Sequence, residues 1–184
     1  MKFRTQRLLI ASISLDYLNE VHRLHSRPEV DRFNTLGIPA STDVTKKIML
    51  GWLEKQEADP ATGYVFFIKL IDSNEFIGLA GLNIGKPNYS MGEIWYKLDP
   101  GHWNKGYASE VVAEILRMGF TKLKLHRIEA GCAVDNTASI RVLEKAGFTR
   151  EGRKRSVLPV RGEWLDNYFY AILDTDYHTL NKQS

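Results

Sequence analysis

A chain of 184 residues with 43% hydrophobic and 26% charged side chains has the make-up of one ordinary globular unit, read here as a single domain with a core over about 3–177 and a polar tail over 178–184. A net charge of +3 is too mild to argue nucleic-acid binding from the whole chain. No apolar run approaches the roughly 18 residues of a membrane span, and the opening MKFRTQRLLIASIS turns polar before an export signal could form, so the expected compartment is the cytoplasm.

Residues 3–10 read as a short strand, and Leu15, Leu18, Val21 and Leu24 at helical spacing predict a helix from Leu15 to His25, ended by Arg27-Pro28. Ser41-Thr42-Asp43 caps a second helix to Glu57 that buries Val44, Ile48, Met49 and Trp52, closed by Asp59-Pro60. YVFFIKL and EFIGLAGLNI flank the hairpin signal Asp72-Ser73-Asn74, and MGEIWYKL follows a turn at Lys86-Pro87-Asn88, which makes an antiparallel meander. After PGHWNKGY, Ala108, Val111, Val112, Ile115, Gly119 and Phe120 line one face of a helix whose charges, Glu110 and Glu114 early and Arg117, Lys122 and Lys124 late, match its dipole. RIEAGCAV reads as a buried strand, and Asp135-Asn136 caps a short helix that ends at Gly147. Two strands over about 148–157 and 164–174 complete an α+β fold: a mixed, mostly antiparallel sheet with a parallel crossover pair and flanking helices.

Several chemistries lose support on residue types alone. The lone Cys132 cannot form an internal disulfide, and no Cys-x-x-Cys or His-Glu-x-x-His spacing is present, so no metal is expected. His22 and His25, three apart on the first helix, make a poor metal site without nearby carboxylates. Asn88–Gly92 lacks the first glycine of a nucleophile elbow, which removes a serine hydrolase. Arg150, Arg153, Lys154, Arg155 and Arg161 read as a solvated face of a late strand, with an anionic cofactor or acidic partner as the sharper alternative. A nucleic-acid reading rests on that cluster alone and ranks last.

The loop PGHWNKGYASE leads from a strand into a helix, so its amides collect at a helix N-terminus, a ready anion site. Gly106 lets the backbone approach a ligand, Ala108 is the next smallest choice, and Lys105 adds a point charge; simple loop closure is the competing explanation. A Walker loop needs Gly-Lys-Ser/Thr, and here Tyr107-Ala108 follows Gly106; a dinucleotide fingerprint needs Gly-x-Gly-x-x-Gly, which Gly101 and Gly106 do not match. Coenzyme A, a diphosphate ligand that needs no metal, remains.

These residues carry a resemblance. GEIWYKLDPGHWNKGYASEVV is similar to motif A of the GNAT acetyltransferase superfamily, and HRIEAGCAVDNTASIRVLEKAGFTREG to its next motif. TQRLLI, SRPEVDRF and GEWLDNYFYAIL resemble the RimJ/RimL-like branch, which acetylates protein N-termini and other amines. The resemblance implies acetyl-CoA as acyl donor, a peptide N-terminus or small-molecule amine as acceptor, and, as often in this branch, a homodimer. It assigns the donor to Tyr96, Lys97, Leu98, Trp103, Asn104, Lys105, Gly106, Tyr107, Ala108, Ser109, Asn136, Ser139 and Lys145. Trp103 replaces the motif's Arg/Gln, and Leu143 replaces a tyrosine that protonates the leaving thiolate in many members.

That chemistry needs a base, an oxyanion donor and a proton for the thiolate. Glu93 is the candidate base, direct or through water, although strand alternation alone does not fix its face. An unpaired backbone N–H around Leu98 is the candidate oxyanion donor, Ser139 the candidate proton donor, and Asn136 a helix cap that also touches the donor. Trp52, Phe33, Tyr89 and Trp95 either shape the acceptor pocket or belong to the core. A noncatalytic acyl-CoA-binding sensor or scaffold is the alternative function.

Overall fold

The computed structural model describes residues 1–182. Eight strands, β1 (Lys2–Arg4), β2 (Leu8–Ser12), β3 (Gly63–Leu70), β4 (Phe76–Ile84), β5 (Met91–Leu98), β6 (Arg127–Ala133), β7 (Thr149–Val160) and β8 (Glu163–Leu173), form one sheet in the order β1-β2-β3-β4-β5-β6-β8-β7. All neighbours are antiparallel except β5 and β6. The helices are α1 (Leu18–His25), α2 (Pro28–Asp31), α3 (Thr42–Glu57), α4 (Tyr107–Arg117), α5 (Thr137–Lys145) and α6 (Asp174–Lys182). The mixed, mostly antiparallel sheet with one parallel pair is the expected fold class.

The parallel pair is short. β5 and β6 are in register only from Met91↔Arg127 to Glu93↔Glu129, after which β6 continues along β8 and leaves the far half of β5 without a neighbour on that edge. Each sheet face has its own core. On one, Ile94 and Leu98 of β5 pack with Val111, Val112 and Ile115 of α4 and Leu143 of α5. On the other, Val65, Phe67 and Leu79 pack with Val21 and Leu24 of α1 and Met49 of α3, with Trp52 and Trp95 against them. Val111 and Val112 are fully buried, and at about 1.5–3 kcal/mol for each such side chain they fix α4 beside the divergence of β5 and β6.

Four elements depart from expectation. The strand over 3–10 is a hairpin, because the Thr5 hydroxyl accepts from the Leu8 N–H at 2.8 Å and builds the turn that Gly or Asn more often supplies. The first helix begins as a 3-10 turn over Leu15–Tyr17. Helix α3 is capped by Ser41 as expected, but buries Thr45 and Met49 and leaves Val44 exposed; Thr45 points inward because its hydroxyl pairs with His22 Nδ1 at 2.8 Å. The polar tail is helical as far as Lys182, held by Tyr177 against Phe120 at 5.0 Å between ring centroids; residues 183–184 lie outside the described residues.

Candidate active site

Local hydrogen bonds shape the loop between β5 and α4. Asp99 Oδ1 accepts from the Gly101 N–H at 3.0 Å and opens a 3-10 turn over Pro100–His102. Asn104 (φ 58°) and Gly106 (φ 81°) then take left-handed backbone, which glycine adopts freely and asparagine tolerates. Tyr107, Ala108 and Ser109 follow as the first residues of α4, with no side chain from the cap position on their amides. A helix N-terminus in that state carries about half a positive charge, which suits a diphosphate. Lys105 Nζ folds back onto the Gly101 carbonyl at 2.8 Å and keeps its charge at the loop.

Sequence reasoning missed the group behind this loop. Arg7, between β1 and β2, donates from Nε to Glu110 Oε2 at 2.9 Å and from Nη1 to the Lys105 carbonyl at 3.0 Å, and lies over the Tyr107 ring at 4.5 Å. The Thr5 hydroxyl donates to the other Glu110 oxygen, joined by the Arg7 N–H at 3.2 Å. Burial acts to raise the Glu110 pKa, but these hydrogen bonds and the Arg7 charge outweigh it and hold the carboxyl below its ordinary range. The one carboxylate in the first turn of the anion site is thereby neutralised and tied down. The only sign in the sequence is Thr5 and Arg7 flanking Gln6, 105 and 103 residues from their partner.

The open edge of β5 adjoins the loop. The Asp99 N–H donates to Ile77 of β4 at 2.8 Å, and the Leu98 carbonyl accepts from Trp103 Nε1 at 2.8 Å on the opposite side. Alternation along the strand turns the Leu98 and Tyr96 amides toward the gap left by β6. Across that gap the Tyr96 hydroxyl meets Ser139 Oγ at 2.8 Å, while Asn136 Oδ1 caps α5 by accepting from the Ser139 N–H at 3.2 Å. Burial raises the Tyr96 pKa well above the usual phenol value, against the lowering effect of the Ser139 contact. Burial likewise pushes the Cys132 thiol up to about 11, again opposed by Ser139. Ser139 thus joins groups from both diverging strands.

The other face of β5 carries Glu93, Trp95 and Lys97. Burial first, and the neighbouring Glu129 second, raise the Glu93 pKa. Trp52 packs on Trp95 at 5.6 Å and His25 on Trp52 at 5.9 Å. Lys97 Nζ donates to Asn34 Oδ1 at 3.1 Å.

Residues 7–149 match the model of the acetyltransferase (GNAT) domain. The chain belongs to the GNAT acetyltransferase family. It is 31% identical over 173 residues to the uncharacterized N-acetyltransferase p20 of Bacillus licheniformis, covering 94% of this chain and 96% of that one. A GNAT-family acetyltransferase from Bacillus anthracis superposes with a TM-score of 0.81 at 32% identity, over 95% of this chain and 99% of that one. The spermidine N-acetyltransferase of Vibrio cholerae, solved with CoA and spermine, shares the fold at a TM-score of 0.84 and 21% identity, over 95% of this chain and 99% of that one. The chain is an N-acetyltransferase of this family.

Within the GNAT fold the sequence-named residues divide into groups. Leu98, Trp103, Asn104, Lys105, Gly106, Tyr107, Ala108 and Ser109 form the loop and helix start, and Tyr96, Asn136 and Ser139 line the gap. Lys145 is exposed in the last turn of α5. Lys97 departs from expectation: alternation sends its side chain to the face opposite Tyr96, where Asn34 holds it. Trp103 replaces a polar residue, yet its indole N–H still serves the end of β5. No helix among the described residues is long and apolar enough to cross a membrane.

Proposed function

We propose that this acetyltransferase uses acetyl-CoA to acetylate the α-amine of a small molecule or peptide in the cytoplasm, by direct attack within a ternary complex. The observation that carries this reading is the open edge of β5 at Tyr96 and Leu98, set beside the uncapped start of α4. The loop amides and Lys105 hold the diphosphate, and the Leu98 N–H, free of a strand partner, donates to the oxygen that gains charge as the amine attacks. Glu93 takes the ammonium proton. It lies five residues from Leu98, roughly 16 Å along the strand at ~3.3 Å per residue, so the proton travels through water. The C–N bond forms first; as the adduct collapses and the C–S bond breaks, Ser139, in contact with Tyr96, gives its proton to the departing thiolate and regains one from the new amide nitrogen, which must shed its extra proton.

An α-amine suits a modest base. At a peptide N-terminus it titrates near ~7.8 against ~10.4 for lysine, so its deprotonation costs about 3.5 kcal/mol less there. The test is calorimetric binding of acetyl-CoA together with thiol release in the presence of primary amines. Gly106→Val puts a branched side chain at φ 81°, a strain of about 1–3 kcal/mol that should raise KM for acetyl-CoA about tenfold. An unchanged KM would remove the loop from the binding site.

A further inference from the structure

We infer that the acceptor amine carries a carboxylate a few bonds away, and that Lys97 and Asn34 hold it. This rests on the acetyltransferase reading above and narrows its substrate class. Lys97 shares its face of β5 with Glu93 and Trp95, and stands one residue, about 3.3 Å along the strand, from the Leu98 amide. An acceptor whose amine reaches the open edge at Leu98 therefore brings groups a few bonds distant within reach of Lys97.

The surroundings of Lys97 are built for an anion. Its ammonium donates to a neutral oxygen, Asn34 Oδ1, lies 5.9 Å from the Trp95 ring, and forms no ion pair among the described residues. Burial pushes its pKa down to about 8, with the Asp31 charge opposing. Asp31, 3% exposed, is committed elsewhere: its Oδ2 accepts from Arg161 Nε at 3.0 Å, and Arg161 Nη2 also donates to the Pro28 carbonyl at 2.9 Å. His25, 1% exposed, is driven neutral by burial and by the Lys97 charge. With Lys97 and Arg161 positive, Asp31 negative and His25 neutral, the cluster carries one surplus positive charge.

One unsatisfied donor points the same way. An ammonium only donates, so Asn34 must turn Oδ1 toward Lys97, which leaves Nδ2 as a second donor alongside it. Asn34 Nδ2, a buried amide donor, finds no partner among the described residues; Asp31 Oδ1 and His25 Nε2 are also buried without one, but Asp31 Oδ1 is an acceptor and offers nothing to an anion. Two adjacent donors, one charged, match the two oxygens of a carboxylate. A polyamine would instead bring positive charge against Lys97 and Arg161. The carboxylate comes either from a free α-amino acid or from an acidic first residue of a peptide.

Thiol release should be followed with a neutral L-amino acid, its carboxamide, a peptide amide beginning with Asp, a neutral peptide amide, and spermidine. In the wild type, kcat/KM for the acid, for the Asp peptide, or for both should exceed that of the matched neutral partner by about tenfold or more. Which pair shows the ratio identifies the source. Lys97→Met keeps the stem volume and should bring that ratio to about one by loss on the anionic acceptor alone, whereas Lys97→Arg should retain most of it. The inference is overturned if carboxamides or spermidine serve as well as acids, if no carboxylate-bearing amine is acetylated, or if Lys97→Met lowers both members of a pair equally. The wild-type ratio needs no variant to fold. Calorimetry separates the two layers: absence of acetyl-CoA binding overturns the acetyltransferase reading itself, and binding with turnover of uncharged or cationic amines only overturns the carboxylate alone.

Discussion

Arg7→Gln tests whether the diphosphate site depends on support from behind. The substitution removes contacts to Glu110 at 2.8 and 2.9 Å, the bond to the Lys105 carbonyl at 3.0 Å, and the stacking on Tyr107. Glu110 is left as a less compensated carboxylate in the first turn of α4, a like charge beside the phosphates. A shielded charge-assisted hydrogen bond is worth about 1.5–3 kcal/mol and an exposed ion pair about 0.2–1. The Arg7 side chain is 44% exposed and that of Glu110 18%, so an intermediate cost of about 1–2 kcal/mol applies, a loss in affinity of about five- to thirtyfold. The assay compares kcat/KM for acetyl-CoA with that for S-acetylpantetheine, which lacks the diphosphate, and measures CoA binding by calorimetry. Arg7→Gln should weaken acetyl-CoA use and CoA binding by that factor and leave S-acetylpantetheine use unchanged. In a Glu110→Gln background it should cost less than it does alone, because the charge it neutralises is gone. An equal fall with both donors, or no fall with acetyl-CoA, refutes the reasoning.

Two further expectations concern proton transfer. Because partial burial and Glu129 raise the Glu93 pKa, the base form is lost as pH falls through that raised value, and kcat should drop on the acid side at a higher pH than for an unperturbed glutamate. Glu129→Gln should move this limb to lower pH by removing a like charge. Glu93→Gln should lower kcat about 10²-fold with partial recovery at high pH; a wild-type pH profile would transfer the role elsewhere. Ser139→Ala should lower kcat about tenfold or more with little change in KM for acetyl-CoA, and Tyr96→Phe should do so less, since Ser139 remains in place. Unchanged kcat in both variants would exclude the pair from protonating the thiolate.

The elements most legible in the sequence were those written by short-range chemistry. The turns at Asp72–Asn74 and Lys86–Asn88 and the Ser41 and Asn136 caps each depend on residues within a few positions, and each stands where expected. The β1–β2 hairpin escaped because a threonine hydroxyl replaced the usual turn residues. The buried face of α3 escaped because His22 gives Thr45 a reason to point inward that α3 itself does not contain. Helix α6 has few apolar residues and takes its order from Phe120, far back in the chain. The site divides likewise. Its loop was legible; the Arg7–Glu110 tether and the Lys97–Asn34 bond, spanning 103 and 63 residues, arise only when the sheet and helices are assembled.

Which side chains of β5 face α4 and which face α1 depends on the register of one strand. Even-numbered side chains of β5, Ile94, Tyr96 and Leu98, belong to the face of α4 and α5, and odd-numbered ones, Glu93, Trp95 and Lys97, to the face of α1 and α3. A slip of one residue would exchange the sets and place the Glu93 carboxylate and the half-buried Lys97 ammonium among apolar side chains. The glycines of β4 oppose that slip. Gly81 stands opposite Trp95, and a Cβ there would collide with the indole ring; Gly78 stands opposite Leu98, and a Cβ there would collide with the Lys97 carbonyl and the Leu98 side chain. With Gly81 bare, Trp95 lies across β4 and meets Trp52. The same lack of side chains lets β5 approach β4 closely where its other edge has already lost β6. The pairing that fixes which face each side chain of β5 occupies therefore also supports the strand where its other edge stands open.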